Sequence, residues 1–255
     1  MRQRNLVVAY VLWGCLFMAA CGTKEEPTAV KEELVLLCGS SFVPPTDEII
    51  EQFEAMYAVD VLTSAAGSED FLPLVKAGEK GDILVTHDPY LDYVKDADAY
   101  LDSAHVGYVA PVLAVAKGNP KGIRSIEDLT KDGLRVGLTD PQYSTCGEMV
   151  FALLEKKGIK EAVLRNVENR LTKGHSNLGT FMQTGAVDAV IMWNGVAHTF
   201  RDHLEIVNVP YEYDTDIRVH VIGLNYSKNP DLVKEFIAFS NKQGTDIFAS
   251  YGYTK

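Results

Sequence analysis

Three short stretches carry the residues best suited to chemistry: Gly39-Ser40-Ser41, Gly67-Ser68 and Ser144-Thr145-Cys146-Gly147. Each joins glycine to hydroxyl side chains, and the third adds a thiol. Each follows a short apolar run and precedes a segment with helical spacing. In open α/β sheets, ligands bind beyond the carboxyl ends of the strands. Helix N-termini at that edge present N–H groups with no intrahelical acceptor and a partial positive charge. Small residues let an anion approach such a backbone, and Ser or Thr adds a donor. The pattern therefore predicts a cradle of neutral donors for something small and anionic. Helix capping alone would also place Ser or Thr there, so the argument rests on the threefold recurrence.

Two other chemistries draw on the same residues. A cysteine at a helix N-terminus has a lowered pKa, and Cys146 with His175 would make a nucleophilic pair. Cys146 and His175, with Glu69 or Glu148 in their loops, would instead offer soft and hard metal ligands. No tight Cys/His spacing accompanies them, and the expectation is a binding protein rather than an enzyme, with no metal and no cofactor.

The elements that must position these loops read as strand, loop, helix, repeated. Leu34 to Leu37 is an apolar strand, Pro44-Pro45-Thr46-Asp47 starts a helix, and Val59 to Leu62 is a second strand. Glu69 to Ala77 is a helix stopped by Gly78, and Ile83 to Val85 a third strand. The apolar stretch Tyr108 to Ala116 is long enough to cross between lobes, after which the pattern restarts. Ser125 to Leu129 is a capped turn, Leu134–Leu138 a strand and Glu148–Lys157 a helix with Gly158 beyond. Ala186 to Met192 is another strand, and Arg218 to Leu224 runs extended. Asn229-Pro230 opens the last helix. Alternating short strands and helices imply a mixed, mostly parallel sheet covered on both faces.

The chain has 255 residues, 47% hydrophobic and 23% charged, with a net charge of −11. That length supports two small lobes with their own cores, and so acidic a chain has no basic face for nucleic acid. Residues 1–20 have a signal-peptide layout: Arg2 and Arg4, an apolar run from Leu6, and Met18-Ala19-Ala20 before Cys21. The Ala-Ala-Cys ending resembles a lipoprotein cleavage motif, with Cys21 acylated and the chain held outside the cytoplasm on a lipid anchor. Residues 21–33 are polar and aperiodic, a tether. Cleavage removes two arginines and no acid, so the mature chain is more acidic still. Cys38 and Cys146 remain, and two cysteines are weak ground for a disulfide.

Ser40-Ser41-Phe42, Gly67-Ser68, Ala77-Gly78-x-x-Gly81-Asp82-Ile83, Thr139-Asp140-Pro141 and Tyr251-Gly252-Tyr253 recur in an order and spacing that resemble the molybdate/tungstate-binding proteins of ABC importers. The resemblance covers roughly residues 34–255. It implies a type II, two-lobed periplasmic-binding-protein fold, with lobe 1 from residues 34–110 plus 220–255 and lobe 2 from 111–219. Two extended crossings would fall near Tyr108–Val112 and Asp216–Val219. It implies a monomer that hands a tetrahedral oxyanion to a membrane permease. By position in the family pattern, Ser41 (with Ser40 beside it) and Ser68 would donate hydroxyls. The N–H of Cys146, next to Thr145, would take the place of an alanine N–H. His175 falls in the loop before the late helix, and Trp193 stands where the family has a tyrosine. The same fold could take another oxyanion or a transition metal, or serve a sensor rather than a transporter.

Overall fold

The computed structural model describes residues 31–207 and 216–255; the signal segment, Cys21 and the tether up to residue 30 lie outside the described residues. In chain order, β1 (Glu32–Gly39) leads through a 3-10 turn at Ser40–Phe42 into α1 (Val43–Glu54). Then come β2 (Val59–Ala66), α2 (Ser68–Ala77), β3 (Ile83–His87) and α3 (Tyr90–Asp96). Next are β4 (Tyr100–Val109), β5 (Pro111–Ala116), β6 (Val136–Thr139), α4 (Thr145–Lys156) and α5 (Lys160–Val167). After them run β7 (Leu171–Thr172), α6 (His175–Gln183), β8 (Ala189–Trp193), α7 (Asn194–Thr199) and β9 (Leu204–Ile206). The chain closes with β10 (Ile217–Leu224) and α8 (Pro230–Ser250).

The strands form two five-stranded sheets, in the orders β2-β1-β3-β10-β4 and β7-β6-β8-β5-β9. In the first, β1 pairs parallel with β2 and β3, while β10 runs antiparallel to β3 and β4. In the second, β6 is parallel to β7 and β8, while β5 is antiparallel to β8 and β9. Both sheets are thus mixed, and the parallel strands are the ones followed by the hydroxyl-bearing loops. The chain passes from the first sheet to the second between Val109 and Pro111, and β10 returns it from residue 217.

Apolar runs on both faces explain the double covering. Along β1, Leu34, Leu36 and Cys38 join one core with Ile49, Phe53 and Phe236 from α1 and α8. The intervening Val35 and Leu37 face the other, with Phe71 and Val75 of α2 and Leu91 and Val94 of α3. Burying side chains of this size stabilises by about 1.5–3 kcal/mol each. Asp82 fastens the middle of this sheet. Its carboxylate accepts from the Val35 N–H at 2.7 Å and the Ser227 hydroxyl at 2.5 Å, beside Gly81 at φ +88°.

Several elements differ from the pattern in the sequence. The first strand begins at Glu32, inside the polar segment, because Glu32 and Glu33 pair with Val59 and Asp60 while their side chains stay exposed. Helix α4 starts three residues before Glu148, capped by Ser144, whose Oγ accepts from the Gly147 N–H at 3.4 Å. The turn at Glu127–Thr130 is 3-10.

Candidate functional site

Six loops lie at the carboxyl ends of parallel or central strands: those after β1, β2, β3, β6, β7 and β8. Residues from all six strand ends line one space of about 40 Å³: Ser40, Ser41, Ser68, His87, Ser144, Thr145, Lys173, His175 and Trp193, with Phe42, Glu69 and Tyr143 beside them. A space of that size holds a few waters or one small inorganic ion.

Local sequence explains how the donors come this close. At Gly39 a Cβ would stand 2.5 Å from Ser68 Oγ, so only glycine lets the second loop's hydroxyl lie against the first loop's backbone. At Gly147 a Cβ would stand 2.7 Å from the Thr139 carbonyl and 2.9 Å from Pro141 N. The glycine after Cys146 therefore lets the first turn of α4 rest directly on the end of β6. Its hydroxyl neighbour Ser144 caps the helix, and the cysteine between them fills a buried slot. Helices α2, α4 and α6 all begin at this space, where first-turn N–H groups have no intrahelical acceptor; in α4 the Thr145 and Gly147 N–H groups are taken by Glu69 and Ser144.

The residues expected from the sequence fall into three groups. Ser40 is exposed at the rim, Ser41 is half-buried, and Ser68 is buried at 6% exposure. His175 (6%) and Trp193 (2%) form a buried wall, their ring centroids 5.5 Å apart. The Trp193 backbone N–H donates to His175 Nδ1 at 3.4 Å, which leaves the proton of the neutral ring on Nε2. Thr145 lines the space, but its own donors are engaged: Glu69 Oε1 accepts from its N–H at 3.4 Å and its hydroxyl at 3.2 Å. The Cys146 thiol does not line the space at all. It is fully buried, and burial pushes its pKa well above the usual thiol range, the opposite of an activated nucleophile. What it can offer a ligand is its N–H in the first turn of α4.

Sequence reasoning passed over three contributors. His87 ends β3, is 3% exposed, and donates from Nδ1 to the Asp88 carbonyl at 2.7 Å. Lys173 stands at the rim, paired with Asp70 across the cleft at 3.1 Å and 5.3 Å above the Tyr143 ring. Glu69, weighed in the sequence only as a metal ligand, links the two halves by accepting from Thr145 and from the Tyr90 hydroxyl at 2.9 Å. A lone histidine ending an apolar strand and a lysine in a polar loop carry no distinguishing spacing.

Among the described residues no three His, Cys, Asp or Glu side chains are grouped to hold an ion. Cys38 and Cys146 are both free and buried.

Within the C-terminal Tyr251-Gly252-Tyr253, Tyr253 bridges the loop after β1 and helix α7. The Tyr253 hydroxyl donates to the Ser41 carbonyl, and its ring packs on Gly195 of α7. Asn194 ties the same region together, its amide donating to the carbonyls of Tyr108 at 3.2 Å and Thr254 at 3.0 Å. Its Oδ1 accepts from the Ala110 N–H at 3.2 Å.

Comparison with known proteins identifies the family and the fold. The profile of bacterial extracellular solute-binding proteins matches residues 34–254. The molybdate-binding protein ModA of Mycobacterium bovis is 26% identical over 269 aligned residues, covering 98% of this chain and 97% of that one. Among solved structures, the periplasmic molybdate-binding protein of Azotobacter vinelandii superposes with a TM-score of 0.68 at 14% identity, covering 87% of this chain and 99% of that one. The sulfate-binding protein SubI of Mycobacterium tuberculosis gives 0.70 at 19% identity, covering 87% and 86%. These two likenesses establish the two-lobed fold.

Proposed function

Because the chain belongs to the family of bacterial extracellular solute-binding proteins, we propose that it captures a tetrahedral oxyanion, molybdate or tungstate, between its lobes for an ABC importer. The observation that carries this is that Ser41, Ser68, His175 and the starts of α2, α4 and α6 all line one space of about 40 Å³. Neutral dipoles suit a dianion that must later be released, because no fixed buried charge is left unpaired when it goes. They act strongly in a desolvated cleft. The kinship with a molybdate-binding relative over nearly the whole chain supports molybdate over other oxyanions. Lobe 1 comprises residues 34–110 plus 220–255 and lobe 2 residues 111–219 in this reading.

Ser68→Ala tests it. Removing a buried donor from a desolvated acceptor costs about 1–3 kcal/mol, so calorimetry should read at least a tenfold loss of molybdate affinity. Wild-type-like binding by Ser68→Ala, or no binding of molybdate, tungstate or sulfate by the wild type, would overturn the reading.

The capture takes place outside the cytoplasm, with Cys21 carrying a diacyl anchor. One acyl chain holds a protein only marginally at a membrane, and two hold it stably. Cys21→Ser should shift the protein from the membrane to the soluble fraction; a wild-type protein already soluble after fractionation would refute the anchor.

A further inference from the structure

Building on the oxyanion reading, we propose that the anion is bound together with a proton taken up from solvent onto His87 Nε2, so that capture is linked to pH.

The argument starts from the tautomers. A carbonyl oxygen only accepts, so the 2.7 Å contact between His87 Nδ1 and the Asp88 carbonyl requires the proton of the neutral ring on Nδ1. Nε2 is then a bare lone pair, on a ring that lines the candidate site. An oxyanion offers only lone pairs of its own, so a neutral His87 beside it is mismatched. One proton on Nε2 turns the mismatch into a charge-assisted donor. His175 is in the opposite state. Its Nδ1 is occupied by the Trp193 N–H and its Nε2 already bears hydrogen, so it serves the anion without taking a proton.

The surroundings of His87 favour this division of labour. From α2, Glu69 acts on it with a charge that favours protonation, and a dianion in the cleft would add to that pull. From the neighbouring elements come Phe42 at 5.9 Å, Tyr90 of α3 at 5.2 Å and Trp193 of β8 at 5.6 Å, measured between ring centroids. His175 of α6 faces the same space, and Lys173 stands at its rim, paired with Asp70. Asp88, next in the chain, has its carboxylate committed to Arg218 and His220 at 2.9 Å each. In the absence of ligand, burial holds His87 below the ordinary histidine pKa, with the Asp88 carbonyl and the charges of Glu69 and Asp88 opposing. The ring is therefore neutral at pH 7, and protonation waits for the anion. The bookkeeping is simple: one solvent proton adds to Nε2, no ligand bond is made or broken, and the dianion gains one countercharge.

The sign follows. A group whose pKa rises on binding takes up a proton between its free and bound values, so affinity falls as pH rises through that window, by up to tenfold per unit. Molybdate and tungstate, fully deprotonated at neutral pH, serve as probes. Titrations at pH 6.5, 7.5 and 8.5 in buffers of different ionisation enthalpy should report close to one proton taken up per anion, with Kd weakening across the series. His87→Gln should abolish the uptake and flatten the pH profile, while His175→Gln should weaken binding and leave the proton count unchanged. Should His87→Gln fail to fold, histidine NMR on the wild type decides: one ring must become an imidazolium when molybdate is added. Binding without proton uptake, or uptake that persists in folded His87→Gln, overturns the proposal and leaves the oxyanion reading standing. Absence of binding by any probe overturns both.

Discussion

Ser68 and Cys146 occupy equivalent places, the first turn of a helix after a strand, yet the chemistry open to each differs completely. The Ser68 side chain faces the candidate site, whereas the Cys146 side chain turns into the core at 0% exposure. Position in a loop is readable from sequence; the direction of a side chain at a helix start is not, because it depends on which turn of the helix rests on the strand. The one local signal is Gly147, since a glycine in a helical first turn marks close backbone approach, but it does not say which neighbouring side chain turns inward. The thiol's burial gives a direct check. Native Cys146 should react with iodoacetamide far more slowly than free cysteine and at the ordinary rate once unfolded. Cys146→Ala should keep molybdate affinity within about threefold, at a stability cost of about 1 kcal/mol for the small cavity. Fast native labelling, or loss of binding in Cys146→Ala, would mean that the sulfur itself does chemistry.

At the scale of elements, what the sequence made legible were the short buried strands bounded by glycine and hydroxyl clusters. Val59–Leu62, Ile83–Val85 and Arg218–Leu224 all fall within observed strands. In Ile83–Val85 the apolar run is continuous because both faces are covered, whereas β2, at the sheet edge, alternates, with Val59 and Val61 buried and Asp60 and Leu62 exposed. The long β4 was legible only at its end. Tyr100–Val109 mixes Asp102, Ser103 and His105 among its apolar residues, because one edge of the strand is unpaired and polar side chains remain partly exposed there. Helices α5 and α6 were also obscured. Helix α5 buries only Val163, Asn166 and Val167, and α6 opens on a buried histidine and includes Gly179, so neither shows a clean apolar stripe. The same limitation hid the interlobe contacts. Glu69 meeting Thr145 joins residues 76 positions apart, and Lys173 meeting Asp70 joins residues 103 apart. Neither pairing leaves a local trace, whereas the turn chemistry that builds the cradle is local by nature.

The whole molecule sets a problem that neither residues nor elements resolve: under the proposed function, a chain of net charge −11 has to capture an anion. The two facts act over different distances. At long range the summed negative field repels an approaching dianion, and that field is screened beyond about 10 Å at 0.1 M salt. At short range the fixed N–H and hydroxyl dipoles of the cleft act where salt does not penetrate. Association should therefore be slow at low ionic strength and faster as salt is added, whereas dissociation, governed by contacts already made, should hardly change. Trp193 gives the measurement a reporter. It lines the site, and Trp13 of the signal segment is the chain's only other tryptophan. Stopped-flow fluorescence with molybdate should show the association rate constant rising by roughly two- to fivefold between 10 mM and 150 mM ionic strength. A rate that falls with salt would mean that the local cation Lys173, paired as it is with Asp70, outweighs the acidic surface as seen by the incoming ion. The wild-type slope separates the cases, and Lys173→Met checks the second: it should turn a falling salt profile into a rising one, and a profile that still falls in the variant would exonerate Lys173.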